Sequence, residues 1–75
     1  MSFPAEVRAE MGRQQLSNRA IAEKSGIHEA QISRKVVREE RDLSLGEAIA
    51  LGEAVGVPAW ELLRRASLTQ QKVAS

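Results

Sequence analysis

The sequence predicts an all-α domain of five short helices, and three observations predict it. Apolar residues recur three and four positions apart along most of the chain, and no stretch sustains the alternation of a half-buried strand. Serines precede these runs and glycines follow them, as helix starts and stops require. The apolar content is Ala, Val, Ile and Leu with only two aromatics, Phe3 and Trp60, a composition that suits closely packed short helices.

The first helix is expected from about Pro4 to Gln14. Ser2 is placed to cap it, and Pro4 lies in the first turn, where its missing N–H does no harm. Val7 and Met11, four apart, form the inner face, with Arg8 and Arg13 outward. A second helix follows from Ser17 or Asn18 to Ser25, with Ser17 as N-cap and Gly26 as the left-handed stop. Ile21 and Ala22 point inward. After Ile27, His28 can cap a third helix from Glu29 to about Val37, with Ile32 and Val36 as its inner stripe. For residues 38–43 the pattern fits a continued helix and a loop equally. Ser44 and Glu47 have the spacing of a capping box. They open a fourth helix carrying Leu45, Ile49 and Val55 and ending at Gly56. Pro58 starts a short fifth helix with Trp60, Leu62 and Leu63. Residues 1–66 form one domain, and residues 67–75 read as a polar, frayed C-terminal tail.

Seventy-five residues suit one small domain with a thin stability margin. No cysteine is present, so a disulfide frame, a cysteine zinc site and a thiol nucleophile are excluded. His28 alone makes no metal site, and no cofactor is expected. No apolar run approaches the ~20 residues of a membrane span, and the N-terminus lacks a signal-peptide pattern, so a cytoplasmic protein is expected. A Gly-rich phosphate loop and a paired nucleophile and base are both missing, which argues against an enzyme. Net charge is only +1, from 11 basic and 10 acidic residues. Any polyanion partner must therefore be met by local clustering rather than by overall charge.

The most informative stretch runs from Leu16 to Arg34. Here two short helices meet at Gly26, with small Ala22 four residues before it and Ile21, Ile27 and Ile32 between them. Small residues at the crossing and a tight glycine turn are what two steeply crossing helices need. With Leu16-Ser17, Ala22, Gly26-Ile27, Ile32-Ser33-Arg34 and the closing Leu45, Ala54-Val55-Gly56-Val57 and Leu62-Leu63, the chain resembles the Xre/Cro-type (lambda repressor-like) helix-turn-helix family of phage repressors and bacterial regulators. The likeness extends from about Val7 to Leu63. Ser25 and Lys35 depart from it, standing where the family has apolar residues.

The resemblance implies a transcriptional regulator, repressor or Cro-like, that binds double-stranded operator DNA as a homodimer. It also implies a bacterial cytoplasm, with the gene carried by the cell or a phage, and no small-molecule ligand. By the same resemblance, base-reading positions fall on Glu29, Ala30, Gln31 and Arg34, and phosphate contacts on Ser17, Asn18, Arg19, His28, Ser33, Lys35 and Arg38. The side-chain chemistry agrees. Glutamine pairs bidentately with adenine and arginine with guanine, alanine meets a thymine methyl, and glutamate accepts from cytosine.

Plainer readings stand beside these. Glu29 also suits the positive end of a helix, Gln31 and Arg34 a solvated surface, and Ser33 a bond back to its own helix. Trp60 and Leu63 fit a core or a dimer surface equally. The alternative functions are a protein-interaction module on the same fold, such as an antitoxin or antirepressor, and a recombination or architectural factor that bends DNA.

Overall fold

The computed structural model describes the backbone of residues 2–74 and the side chains of residues 2–67. Among the described residues the chain is five helices with no strand: α1 (Phe3–Gln14), α2 (Asn18–Ser25), α3 (Glu29–Ile32, continued without a break by a π-helical turn, Ser33–Val37), α4 (Leu45–Val55) and α5 (Ala59–Ala74).

Local chemistry sets most of the boundaries. The hydroxyl oxygens of Ser2, Ser17 and Ser44 accept from the amides of Ala5, Ala20 and Glu47, so each satisfies an orphan donor of a first turn. Glu47 completes the capping box by accepting from the Ser44 amide at 2.9 Å. His28 caps α3 through Nδ1, which accepts from the Ala30 amide at 3.1 Å. Gly26 closes α2 at φ +76°, a conformation in which a side chain would be strained.

One helix differs from expectation in its interior and another in its end. The third helix spans the expected residues, but its second half widens into a π turn. There the Arg38 amide reaches back to the Ser33 carbonyl, and that of Glu40 to Arg34. The chain then leaves the helix through Glu39 in the left-handed region, and 38–43 is a loop. The fifth helix is not short. It continues through residues 67–74, assigned from sequence to a frayed tail, because Leu68, Gln70, Gln71, Lys72 and Ala74 favour helix and no Gly or Pro interrupts them.

Every helix contributes to one core: Val7 and Met11 from α1, Ile21 from α2, Ile32 and Val36 from the third helix and its π turn, Leu51, Ala54 and Val55 from α4, and Leu62 from α5. At about 25 cal/mol per Å² of buried apolar surface, each large side chain here contributes roughly 1.5–3 kcal/mol. Of the apolar residues that α4 carries, Leu45 and Ile49 are exposed while Leu51, Ala54 and Val55 face inward. The helix carries two apolar stripes at helical spacing, and periodicity alone does not choose between them.

Ion pairs tie the ends of the chain to this core. Glu10, almost fully buried, accepts from Arg13 and Gln14 on its own helix and from Arg65 of α5 at 2.9 Å. The Arg65 guanidinium is the main cause that holds the Glu10 carboxyl below the usual carboxylate range. No helix among the described residues is long and apolar enough to cross a membrane.

Candidate functional site

The residues singled out in the sequence lie on two adjoining elements, the N-terminal turn of α2 and the outer face of α3 with its π turn. Ile32 and Val36 bury the inner side of the third helix against the core, which fixes which side faces out. Glu29, Ala30 and Arg34 are exposed and Gln31 is half-buried. Arg34 has no ion-pair partner among the described residues, nor do Lys24 at the end of α2 and Arg41 in the following loop.

Around that face the remaining candidates are arranged unequally. Ser17 uses its oxygen as an acceptor to cap α2, which leaves its hydroxyl hydrogen to donate outward. Asn18 is half-buried in the first turn, and Arg19 lies across an exposed one-turn pair with Glu23 at 3.5 Å. Because Nδ1 of His28 is an acceptor, Nε2 carries the hydrogen of the neutral ring, and the side chain is exposed. A shallow open depression of about 410 Å³ brings Arg19, Gly26, His28 and Glu29 together across the α2–α3 turn. Ser33 and Arg38 lie together at the other end, where Nη2 of Arg38 donates to the Ser33 hydroxyl at 3.3 Å and Nη1 to Glu40 at 3.2 Å.

Lys35 does not join this surface as a free cation. Its ammonium donates to both carboxylate oxygens of Glu47, at 2.9 and 2.7 Å, and the two side chains are only 18% and 22% exposed. That contact is the main reason the Glu47 carboxyl is held below its ordinary range, with the Ser44 amide second. One lysine thereby links the π turn to the capping box of α4, a role that its place in the sequence, 12 positions from Glu47, did not signal.

Arg8 is the residue that sequence reasoning missed. Expected to point outward, it instead donates through Nη1 to the Val36 carbonyl at 2.6 Å and to Glu39 at 3.0 Å. The carbonyls at the end of a helix lack internal partners, and a π turn leaves them at unusual positions. Arg8 satisfies one of them and holds Glu39, which also accepts from the Ser2 hydroxyl at 2.8 Å. These two contacts, Ser2 first, keep the Glu39 carboxyl below its usual range. The outward-facing segment is thus clamped at its end by α1. No sequence signal marks this, since the partners lie 28 and 31 positions from Arg8.

No group of three or more metal-ligating side chains is assembled among the described residues. Compared with family models, with curated proteins and with solved structures, the chain shows no match.

Proposed function

We propose that the chain is a sequence-specific, double-stranded-DNA-binding transcriptional regulator, in which α2 and α3 act as a helix-turn-helix and α3 enters the major groove. The observation that carries this reading is the outer face of α3. It bears exposed Glu29, Ala30 and Arg34 with half-buried Gln31, is backed by Ile32 and Val36 in the core, and carries an arginine that the fold itself does not neutralise. Groove reading requires a rigid element that projects a few hydrogen-bonding side chains, flanked by donors that settle on phosphates.

In this reading Gln31 and Arg34 make the directional contacts to base edges, Ala30 packs on a thymine methyl, and Glu29 accepts from a cytosine amino group. Ser17, Asn18, Arg19 and His28 position one strand's backbone from the α2 side, and Ser33 and Arg38 do so from the π turn. Lys35 acts inside the fold, where it fixes α4 against the π turn. Arg8 sets the end of the reading segment. The resemblance to Xre/Cro-type regulators supports the same assignment and adds a homodimer on a near-palindromic operator, with half-sites ~34 Å apart.

The test is a salt titration of binding to a pool of random duplexes, with sequencing of the retained DNA. A two-fold symmetric motif is expected, with affinity that falls steeply with salt. Retention without any motif would replace sequence reading with an architectural role. Failure to retain DNA even at low salt would refute the proposal and leave the protein-interaction alternative.

A further inference from the structure

The third helix changes register half-way along, at the segment that holds its one charged and largely buried residue, Lys35. The Arg38 amide donates to the Ser33 carbonyl, five positions back, at 2.9 Å, where an α-helix would use Arg34. The side chains agree with the backbone. Nη2 of Arg38 donates to the Ser33 hydroxyl at 3.3 Å. Residues five apart on an α-helix, at about 100° per residue, point roughly 140° away from each other. In a π turn, at roughly 85–90° per residue, they diverge by only about 75° and come within reach.

Lys35 supplies the reason for the wider turn. Ile32, on the α-helical side of it, faces the core and is 1% exposed. An α-helical continuation would put Lys35 about 60° to one side of that direction and Val36 about 40° to the other. The ammonium would then lie over the apolar core, where an ion without a partner is costly. The π turn brings Val36 to within about 10° of Ile32 and swings Lys35 to about 100° from it. Val36 is accordingly fully buried, and Lys35 emerges at the flank, where both carboxylate oxygens of Glu47 accept from it. From α1, Arg8 holds the Val36 carbonyl in the same register at 2.6 Å.

We infer that Lys35 is the positioning residue that keeps the third helix in the π register, and that it thereby decides whether Arg38 stands with Arg34 on the outward face. The widened turn rotates Arg38 back by about 70° relative to Glu29, Ala30 and Gln31, which sets it under Arg34. An α-helical register would carry it off that column, toward the flank nearer α4. The register belongs to the fold alone, and its effect on recognition rests on the DNA-binding reading. A large apolar side chain at position 35 removes the reason for the wide turn, because the core then accepts it beside Val36.

At 8.2 kDa the chain suits NMR detection of scalar coupling across hydrogen bonds, which identifies the carbonyl that each amide reaches. In the native chain the Arg38 amide should couple to the Ser33 carbonyl. In Lys35→Leu combined with Glu47→Gln, no charge is left unpaired and the side chain at 47 still completes the cap. There the coupling should pass to Arg34. Lys35→Met with Glu47→Gln repeats the test, with the same outcomes, if the leucine chain does not fold. Lys35→Arg keeps the ion pair, and Lys35→Ala gives the core nothing to take beside Val36, so both should retain the Ser33 coupling. A merely structural Lys35 would change stability in these variants without moving the coupling. Native coupling to Arg34 overturns the inference, as does Ser33 coupling that survives in the leucine and methionine variants. On DNA, the variant whose coupling has moved should lose the Arg38 phosphate contact. Its slope of log affinity against log salt should fall by about 0.9 although its net charge is unchanged. An unchanged slope overturns the effect on recognition. A moved coupling in a chain whose native form retains no DNA refutes the DNA reading and leaves the register inference standing.

Discussion

Gly52 lies in the interior of α4, where alanine is ordinarily the better residue by about 1 kcal/mol. Here the sign should reverse. A Cβ at this position would sit 2.8 Å from the Ala59 amide nitrogen, 2.8 Å from the Val57 carbonyl oxygen and 3.3 Å from the Ala59 Cα. All three are backbone atoms of the α4–α5 turn, which the Val57 amide ties to the Gly52 carbonyl at 3.0 Å, so no side-chain rotation relieves the contact. Overpacking of this kind costs ~1–3 kcal/mol, and two backbone contacts this close put Gly52→Ala near the top of that range. After the propensity gain, a net loss of about 2 kcal/mol is expected. A chain of this length holds only ~4–11 kcal/mol in all, so the midpoint of thermal unfolding should fall by roughly 8–16 °C. Gly12→Ala is the internal control: it is also helical, but nothing lies within 4 Å of its Cβ, and it should gain up to about 1 kcal/mol. Urea and thermal unfolding followed by circular dichroism measure both. If Gly52→Ala proves as stable as Gly12→Ala, the close approach of α4 to the α5 turn is wrong.

Other predictions concern the charges and the proposed DNA contacts. Lys35→Met should destabilise by about 1–3 kcal/mol in urea unfolding, since it strands a largely buried Glu47; partial exposure keeps this below the cost at a fully buried pair. Glu10 and Glu47 have folded-state pKa values below the ordinary carboxylate range, so their stabilisation is complete above about pH 4.3 and is lost as pH falls through the lowered values. Glu47→Gln should flatten that acid limb, and an unchanged acid profile would show that the Lys35 contact does not hold in solution. Gln31→Ala should cost ~1–3 kcal/mol at one base pair of a selected operator and relax preference there; unaltered preference would remove Gln31 from the reading face. Arg38→Ala should lower the slope of log affinity against log salt by about 0.9, whereas Lys35→Ala should leave that slope unchanged. Equal slopes for the two variants would contradict their assignment to different roles.

The parts of the molecule legible in the sequence are those whose partners lie within one turn. The caps of Ser2, Ser17 and Ser44 with Glu47, and the left-handed stops at Gly26 and Gly56, join residues three or four positions apart. Chain geometry alone nearly determines such contacts, so the helix order and the inner stripe of Ile32 and Val36 followed from residue types and spacing. What depended on tertiary structure lay between residues far apart in sequence. Arg8 on Val36 and Glu39, Lys35 on Glu47 and Arg65 on Glu10 are each a choice among several oppositely charged residues, made only when the helices pack. The same holds for α4. Leu45 with Ile49, and Leu51 with Val55, satisfy helical periodicity equally, and burial of the second stripe followed from the positions of α1, α2 and α5. A residue four positions away is brought close by the helix itself, but one thirty positions away is brought close only by the sum of every other packing contact.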